Sequence, residues 1–386
     1  MKVSGPDPVS APPPPPPPAP VVRVKTRRVG VHEIARRAGV SPSAVSSFLR
    51  SEDGKGRVGE KSRFNILKAC RELGYEPRQS AAFNRIYPEL GEYCFLLSSD
   101  ANLSFRNPFY AQLIEGLTDA IPAHDSHLHF CQFEAETNYF EQPERVPAPV
   151  RNGNATKLLC AGKPNLSLLE MLRQQRLPVV YLGQEVPLGG ITCLMPDFQG
   201  GAHSALRHLI THGHRRIAVA AGPFASGSSN IIEQRTAFER AMKESGIPVH
   251  PEHVYYARLD TDGGKEIVDS LLQSRERPTA LYCFNDMMAI GAIQQAAVRG
   301  LRIPEDLSII GFDDIWLSGS TTPPLTTVHS PIKELAARGI VELDELTRNP
   351  ALLSGPPRKI VLPTRLVERA SVASLPAAAS QADDST

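Results

Sequence analysis

No run of apolar residues in this sequence is long enough to span a bilayer, which excludes a membrane-spanning helix. The opening residues Met1–Val29 also lack the continuous apolar stretch of a secretory signal, so a cytoplasmic address is expected and no membrane partner. No two cysteines stand in a C-x-x-C spacing. The six that occur (Cys70, Cys94, Cys131, Cys160, Cys193, Cys283) are scattered singly, mostly in apolar runs, so they read as small buried hydrophobes rather than a disulfide framework or a zinc site. His203, His208, His212 and His214 do not have the H-E-x-x-H spacing, and surface histidines explain them; no metal is expected. There is no P-loop and no nucleophile motif. Asp313 and Asp314 are neighbours on a turn, which rarely converge as an acid/base pair, so neither catalysis nor a cofactor is expected.

Net charge is nearly absent too, at +1 over 386 residues, but its distribution is uneven. Val21–Leu90 holds 15 Lys+Arg against 7 Asp+Glu, leaving the remainder of the chain acidic. A basic block on an acidic body is what phosphate binding by one part would require, although a solvated basic face is the plainer reading of charge alone. Residues 1–28 include seven consecutive prolines, Pro12–Pro18, and are expected to be a disordered tail. Val31, Ile34, Ala35 and Ala38 then recur at helical spacing, and Gly39-Val40 breaks that helix. Ser41 is a good N-cap with Pro42 at the first helical position of a second helix, which turns Val45, Phe48 and Leu49 inward. A third helix is expected from Glu60 to Leu73, with Gly74 as its stop. Three short helices with a tight glycine turn describe a helix-turn-helix domain, placed at 29–76.

The rest alternates. Strands are expected at Tyr93–Leu97, Leu128–Phe133, Lys157–Cys160, Val179–Leu182, Ile217–Ala221, Val254–Ala257, Ala280–Phe284 and Leu307–Phe312. Helices are expected at Pro108–Ile121, Leu166–Gln175, Gly200–His212, Ile232–Ser245, Lys265–Gln273 and Met287–Arg299. This predicts an α/β body of two lobes with mostly parallel sheets over residues 91–372, after a hinge at 77–90 and before a disordered tail at 373–386. Glu134–Thr156 holds three prolines and no clear period, and the pattern assigns it nothing.

The segment Val31–Arg50 resembles the DNA-reading headpiece of the lac repressor (LacI/GalR) family, with Ile34-Ala35, Ala38-Gly39-Val40-Ser41 and Val45-Ser46 in matching positions. Gly74-Tyr75-Glu76-Pro77 falls where that family ends its third helix; the connection Arg50–Val58 is longer than usual, and Gly30 stands where a threonine is usual. The body resembles the family as well, at Asn107-Pro108-Phe109-Tyr110, Gly213-His214-Arg215-Arg216-Ile217, Asn285–Gly291, Ile310–Asp314, Pro323–Val328 and Pro363–Val367. The resemblance implies a helix-turn-helix domain on a periplasmic-binding-protein-like body, used as a homodimer on a palindromic double-stranded DNA operator. It also implies a small effector, a sugar or sugar derivative, that controls DNA binding. A solute-binding protein without gene-regulatory role, and an α/β enzyme acting on a sugar, are the alternatives; the headpiece argues against the first and the lack of a catalytic constellation against the second.

On such a headpiece the second helix enters the major groove, and its outward positions here are Pro42, Ser43, Ala44, Ser46, Ser47 and Arg50. Serines specify bases weakly, whereas a bidentate arginine specifies guanine. In the hinge the resemblance points to Arg78, Ala81, Phe83 and Asn84. Asn84 occupies the position of the family's minor-groove leucine, and Phe83 beside it is the apolar candidate for a wedge between bases. In the body the resemblance points to Phe109 and Tyr110 on one lobe and to Arg235, Asn285 and Asp313 on the other as effector-binding residues. Such a set suits a polyol: acceptors and donors for hydroxyls, aromatic faces for the apolar side of a ring. The position where the family often stacks an aromatic ring on the sugar aligns near Leu259.

Overall fold

The computed structural model describes residues 29–51, 58–73, 75, 91–99, 107–121, 127–223 and 228–376. The proline-rich tail, the connection at 52–57, Gly74 and the hinge with Arg78, Ala81, Phe83 and Asn84 lie outside them.

Helical spacing at the start of the described chain produces the expected packing. Helices α1 (Val31–Ala38), α2 (Pro42–Arg50) and α3 (Glu60–Glu72) close on a small core of Ile34, Ala35, Ala38, Val45, Phe48, Ile66, Leu67, Ala69 and Cys70. Gly39 ends α1 at φ 66°, a left-handed conformation in which a Cβ would be strained, and Val40 N–H returns to Ala35 O at 3.1 Å. Ser41 then caps α2, its Oγ accepting from Ala44 N at 3.2 Å. An ion pair between Arg37 and Glu72 ties α1 to α3.

The body is two α/β lobes. In lobe 1, six strands lie in the order β11-β5-β4-β3-β1-β2: β1 (Glu92–Ser98), β2 (Leu128–Phe133), β3 (Ala155–Ala161), β4 (Val179–Leu182), β5 (Thr192–Pro196) and β11 (Arg358–Leu362), all parallel to their neighbours. Helices α4 (Pro108–Ala120), α5 (Ala148–Arg151) and α6 (Leu166–Gln174) belong to this lobe. In lobe 2 the order is β12-β10-β9-β8-β6-β7, from β6 (Ile217–Ala221), β7 (Val254–Tyr256), β8 (Ala280–Cys283), β9 (Ser308–Asp313), β10 (Thr326–His329) and β12 (Arg365–Val367). Only the β10–β12 pair there is antiparallel. Its helices are α7 (Phe198–Thr211), α8 (Ser229–Glu244), α9 (Thr261–Leu271) and α10 (Asp286–Val298). Helix α11 (Ile332–Arg348) returns to lobe 1 and packs on α4 and on β3, β4 and β5.

Covering a parallel sheet on both faces explains why its strands read as continuous apolar runs. Along β1, Tyr93, Phe95 and Leu97 enter one core, with α4 and α11, while Cys94 and Leu96 enter the other, with α6. Along β6, Ile217, Val219 and Ala221 face α7 and α8, while Ala218 and Ala220 face α9 and α10. The chain passes between lobes three times, at Asp197, at Ser330-Pro331 and at Pro363-Thr364. Two passages are pinned together: Asp197 N–H donates to Leu362 O at 2.8 Å, and Thr364 Oγ1 to Asp197 O at 3.1 Å.

Three sequence-based expectations change. Glu134–Thr156 is ordered, with the short α5 and the first residues of β3 in it. Asn165 Nδ2 donates to the carbonyls of Glu134, Ala135 and Thr137, and buried Tyr139 accepts Glu134 N–H at 2.9 Å, so side chains replace a periodic pattern there. Residues 373–376, expected to begin a free tail, run along lobe 2: Ala373 N–H donates to Ser308 Oγ at 2.9 Å and Leu375 N–H to His212 O at 2.8 Å. Strands β5, β10, β11 and β12 and helix α11 were not anticipated.

Candidate functional site

Helix α2 presents a small polar face. Pro42, Ser43, Ser47 and Arg50 are exposed and Ala44 and Ser46 half-buried, opposite the buried Val45 and Phe48. Ser43 Oγ lies 2.9 Å from the capping Ser41 Oγ, and Arg50 Nε donates to Ser46 O at 3.1 Å, which folds the one long cation of this face back along its own helix.

The second site lies between the lobes. A cleft of about 220 Å³ opens at the C-terminal ends of the strands, where α/β folds place ligands. Lobe 1 contributes Phe109 and Tyr110 from the start of α4. This start is set by Asn107, which accepts Phe109 N–H at 3.0 Å and is followed by proline at the first helical position. The two rings meet edge to face at 5.2 Å; Tyr110 also belongs to the lobe 1 core, so it serves packing and lining at once. Lobe 2 contributes Asn285, the N-cap of α10. Its Oδ1 accepts Met288 N–H at 2.9 Å and its Nδ2 donates to Leu259 O at 3.1 Å, which commits one of its two amide hydrogens. Leu259 itself lines the cleft, so the wall there is aliphatic.

Asp313 ends β9 with φ 112°, and Asp314 follows at φ 56°. Two successive non-glycine residues in this region are strained by about 1–3 kcal/mol each. The neighbourhood holds them: Arg369 Nη2 and His329 Nδ1 bind the Asp314 carboxylate at 2.6 and 3.0 Å, and Ser330 N–H donates to Asp313 O at 3.2 Å. The Asp313 side chain lines the cleft and accepts from Ser330 Oγ at 3.4 Å.

Behind Asp313 lies a second carboxylate that the sequence did not single out. Asp286 is fully buried and accepts from Thr327 Oγ1 at 2.5 Å, Ser318 Oγ at 2.6 Å and Ile315 N–H at 2.9 Å. It binds the loop after β9 to the start of α10, the two places that supply Asp313 and Asn285. Gly311 makes room for it: a Cβ there would stand 2.1 Å from Asp286 Oδ1. Burial pushes the Asp286 pKa up to about 7 against the pull of its three donors. Burial, and then the charge of Asp286, raises the Asp313 pKa well above the usual carboxylate range.

Arg235 does not line the cleft. It points outward from α8, to Glu239 Oε1 at 2.9 Å and Tyr256 Oη at 2.6 Å. One residue turns a helix by about 100°, and the residue that faces the cleft is Gln234. Its Oε1 accepts from Tyr282 Oη at 2.5 Å and its Nε2 donates to Phe284 O at 3.3 Å. Its burial at helical spacing with Ile231 and Phe238 was the available signal. Among the described residues no group of three His, Cys, Asp or Glu is placed to hold a metal ion, and no helix is long and apolar enough to cross a membrane.

Comparison with known proteins bears on both sites. The family model described as "Bacterial regulatory proteins, lacI family" matches residues 31–78, and "Periplasmic binding protein-like domain" matches 206–372. The HTH-type transcriptional regulator DegA of Bacillus subtilis is 31% identical over 350 residues, 89% of this chain and 98% of that protein. The HTH-type transcriptional repressor PurR of Proteus mirabilis is 31% identical over 354 residues, 90% of this chain and 97% of that protein. Among solved structures, a LacI family transcriptional regulator from Enterococcus faecium with bound ribose superposes with a TM-score of 0.63 at 26% identity, over 74% of this chain and 100% of that one. Identity sustained through headpiece and cleft alike leads to one conclusion: the chain belongs to the lacI family of bacterial regulatory proteins.

Proposed function

We propose that this regulator represses transcription in the cytoplasm as a homodimer on a palindromic operator, and that a sugar or sugar derivative bound between its lobes controls DNA affinity. The observation that carries the reading is the joining, in one chain, of a capped recognition helix with a cleft lined by Asp313, Asn285, Gln234 and the Phe109–Tyr110 pair. Pro42, Ser43, Ala44, Ser46, Ser47 and Arg50 meet the major groove, and Arg78, Ala81, Phe83 and Asn84 the minor groove. A single headpiece touches one half-site; two related by a two-fold axis multiply specificity. In the cleft, carboxyl and amide groups exchange hydrogen bonds with hydroxyls while Phe109 and Leu259 cover apolar ring faces. The relatives named above are regulators, which favours binding over catalysis.

The test has two arms. Selection from random double-stranded DNA with the full chain should return a two-fold-symmetric site, and the chain lacking residues 1–85 should return none. A thermal-shift screen of sugars should find a ligand that raises stability, since a molecule binding only the folded state must do so. Selection of unsymmetric DNA, or specific binding by the shortened chain, would overturn the reading.

A further inference from the structure

One edge of the cleft carries charges that the ligand-facing residues do not use. Lys359, on β11 of lobe 1, donates to Glu185 Oε2 at 2.9 Å in its own lobe and to Glu233 Oε1 at 2.8 Å on α8 of lobe 2. Beside it, Glu185 N–H donates to Ser229 Oγ at 3.1 Å, and Ser228 Oγ donates to Gln184 Oε1 at 3.1 Å. Three hydrogen bonds therefore cross between the lobes, from residues 184, 185 and 359 on one side to 228, 229 and 233 on the other. The three groups at the centre are far apart in sequence, and only the meeting of the lobes brings them together. Burial works against the Lys359 charge, yet the carboxylates of Glu233 and Glu185 hold its pKa above the ordinary value.

An exposed ion pair adds little to the stability of a fold. Here the attraction to Glu233 exists only while the lobes are together, so all of it favours the closed arrangement over an open one. Glu185 doubles the negative charge facing Lys359, and its backbone N–H adds a neutral bond that salt does not screen. Opening would break the Glu233 contact and leave Lys359 with Glu185 in lobe 1.

We propose that Lys359, Glu185 and Glu233 form a salt-sensitive latch that holds the two lobes together along the β11 edge of the cleft. Its bearing on effector entry rests on the cleft being the effector site; the latch itself does not.

Hydrogen exchange on the full chain, followed by mass spectrometry without added ligand, tests it, so the identity of the effector cannot affect the outcome. Glu233→Gln and Lys359→Met should each speed exchange several-fold in peptides covering 182–188 and 228–234, leaving β1 and β8 unchanged. Raising NaCl from low salt to about 0.5 M, where screening acts over ~4 Å, should do the same to the wild type and add little in either variant. The full charge swap Lys359→Glu with Glu185→Lys and Glu233→Lys should restore protection. Unchanged exchange at both segments in both single variants overturns the latch. So does faster exchange spread evenly through both lobes, which marks general loosening, and so does failure of the charge swap to rescue.

Discussion

At the scale of single residues, the cleft turns on a pair of carboxylates with different duties. Asp313 faces the cleft, and Asp286 fixes the backbone that presents it. Asp313→Ala should weaken binding of whichever sugar the screen returns by about 1–3 kcal/mol, the cost of leaving a buried hydroxyl without its partner; calorimetric titration checks this. Gln234→Ala should also weaken it, whereas Arg235→Ala should leave it at the wild-type value. Equal losses at 234 and 235 would contradict the orientation of α8. Asp286 predicts a pH effect of definite sign. Its pKa is about 7 when folded against an ordinary aspartate value of 3.8, so between about pH 4 and pH 7 the folded chain holds a proton that the unfolded chain has lost. Stability from this group is present below that window and is lost as pH rises through it. The stability of wild type relative to Asp286→Asn should therefore fall from pH 4.5 to about pH 7.5, as read from urea midpoints; a constant difference would refute the assignment. The family resemblance made Asp313 and Asn285 legible, since both stand in stretches that match the family's pattern. The sequence left Asp286 hidden, because bonding to three distant donors is a property of packing, and it marked Gln234 only by its helical spacing with Ile231 and Phe238.

At the scale of elements, local chemistry and tertiary contact can be separated by substitution. Ser41→Ala removes the cap of α2 and should cost about 1 kcal/mol, measured as headpiece melting, with operator affinity falling in step. Gly311→Ala forces a Cβ onto Asp286 in the middle of lobe 2. It should cost about 1–3 kcal/mol by overpacking and loosen the loop that carries Asp313. An unchanged melting temperature would show that β9 can shift to admit it. Helices α1, α2 and α3 were legible because cap, glycine stop and apolar period agree within a few residues. Strands β11 and β12 were not: both are half-exposed edge strands, their apolar residues interrupted by Arg358, Lys359 and Arg365. Segment 134–154 escaped for another reason. Its order comes from the Asn165 side chain and from Tyr139, and side-chain hubs have no period.

At the scale of the molecule, two lobes are joined by three passages of the chain, with the headpiece preceding them in sequence. If the molecule acts as a two-fold pair, sedimentation of the full chain at micromolar concentration should give a dimer, and removal of residues 1–85 should leave that dimer intact while abolishing specific DNA binding. A monomer, or loss of the dimer with the headpiece, would place self-association elsewhere than in the body.

The sequence by itself determined the three headpiece helices, most of the alternating strands and helices of the body, and the chemistry of the recognition helix. It also determined the placing of Phe109, Asn285 and Asp313 at element ends, because these depend on neighbours within a turn or two. Only the tertiary structure decided which face of α8 looks into the cleft, which carboxylate lies beneath Asp313, and that Lys359 meets Glu233 across the lobes. Those contacts join residues brought near by packing, and the energy that selects them comes from burial and paired charge, to which sequence distance is irrelevant.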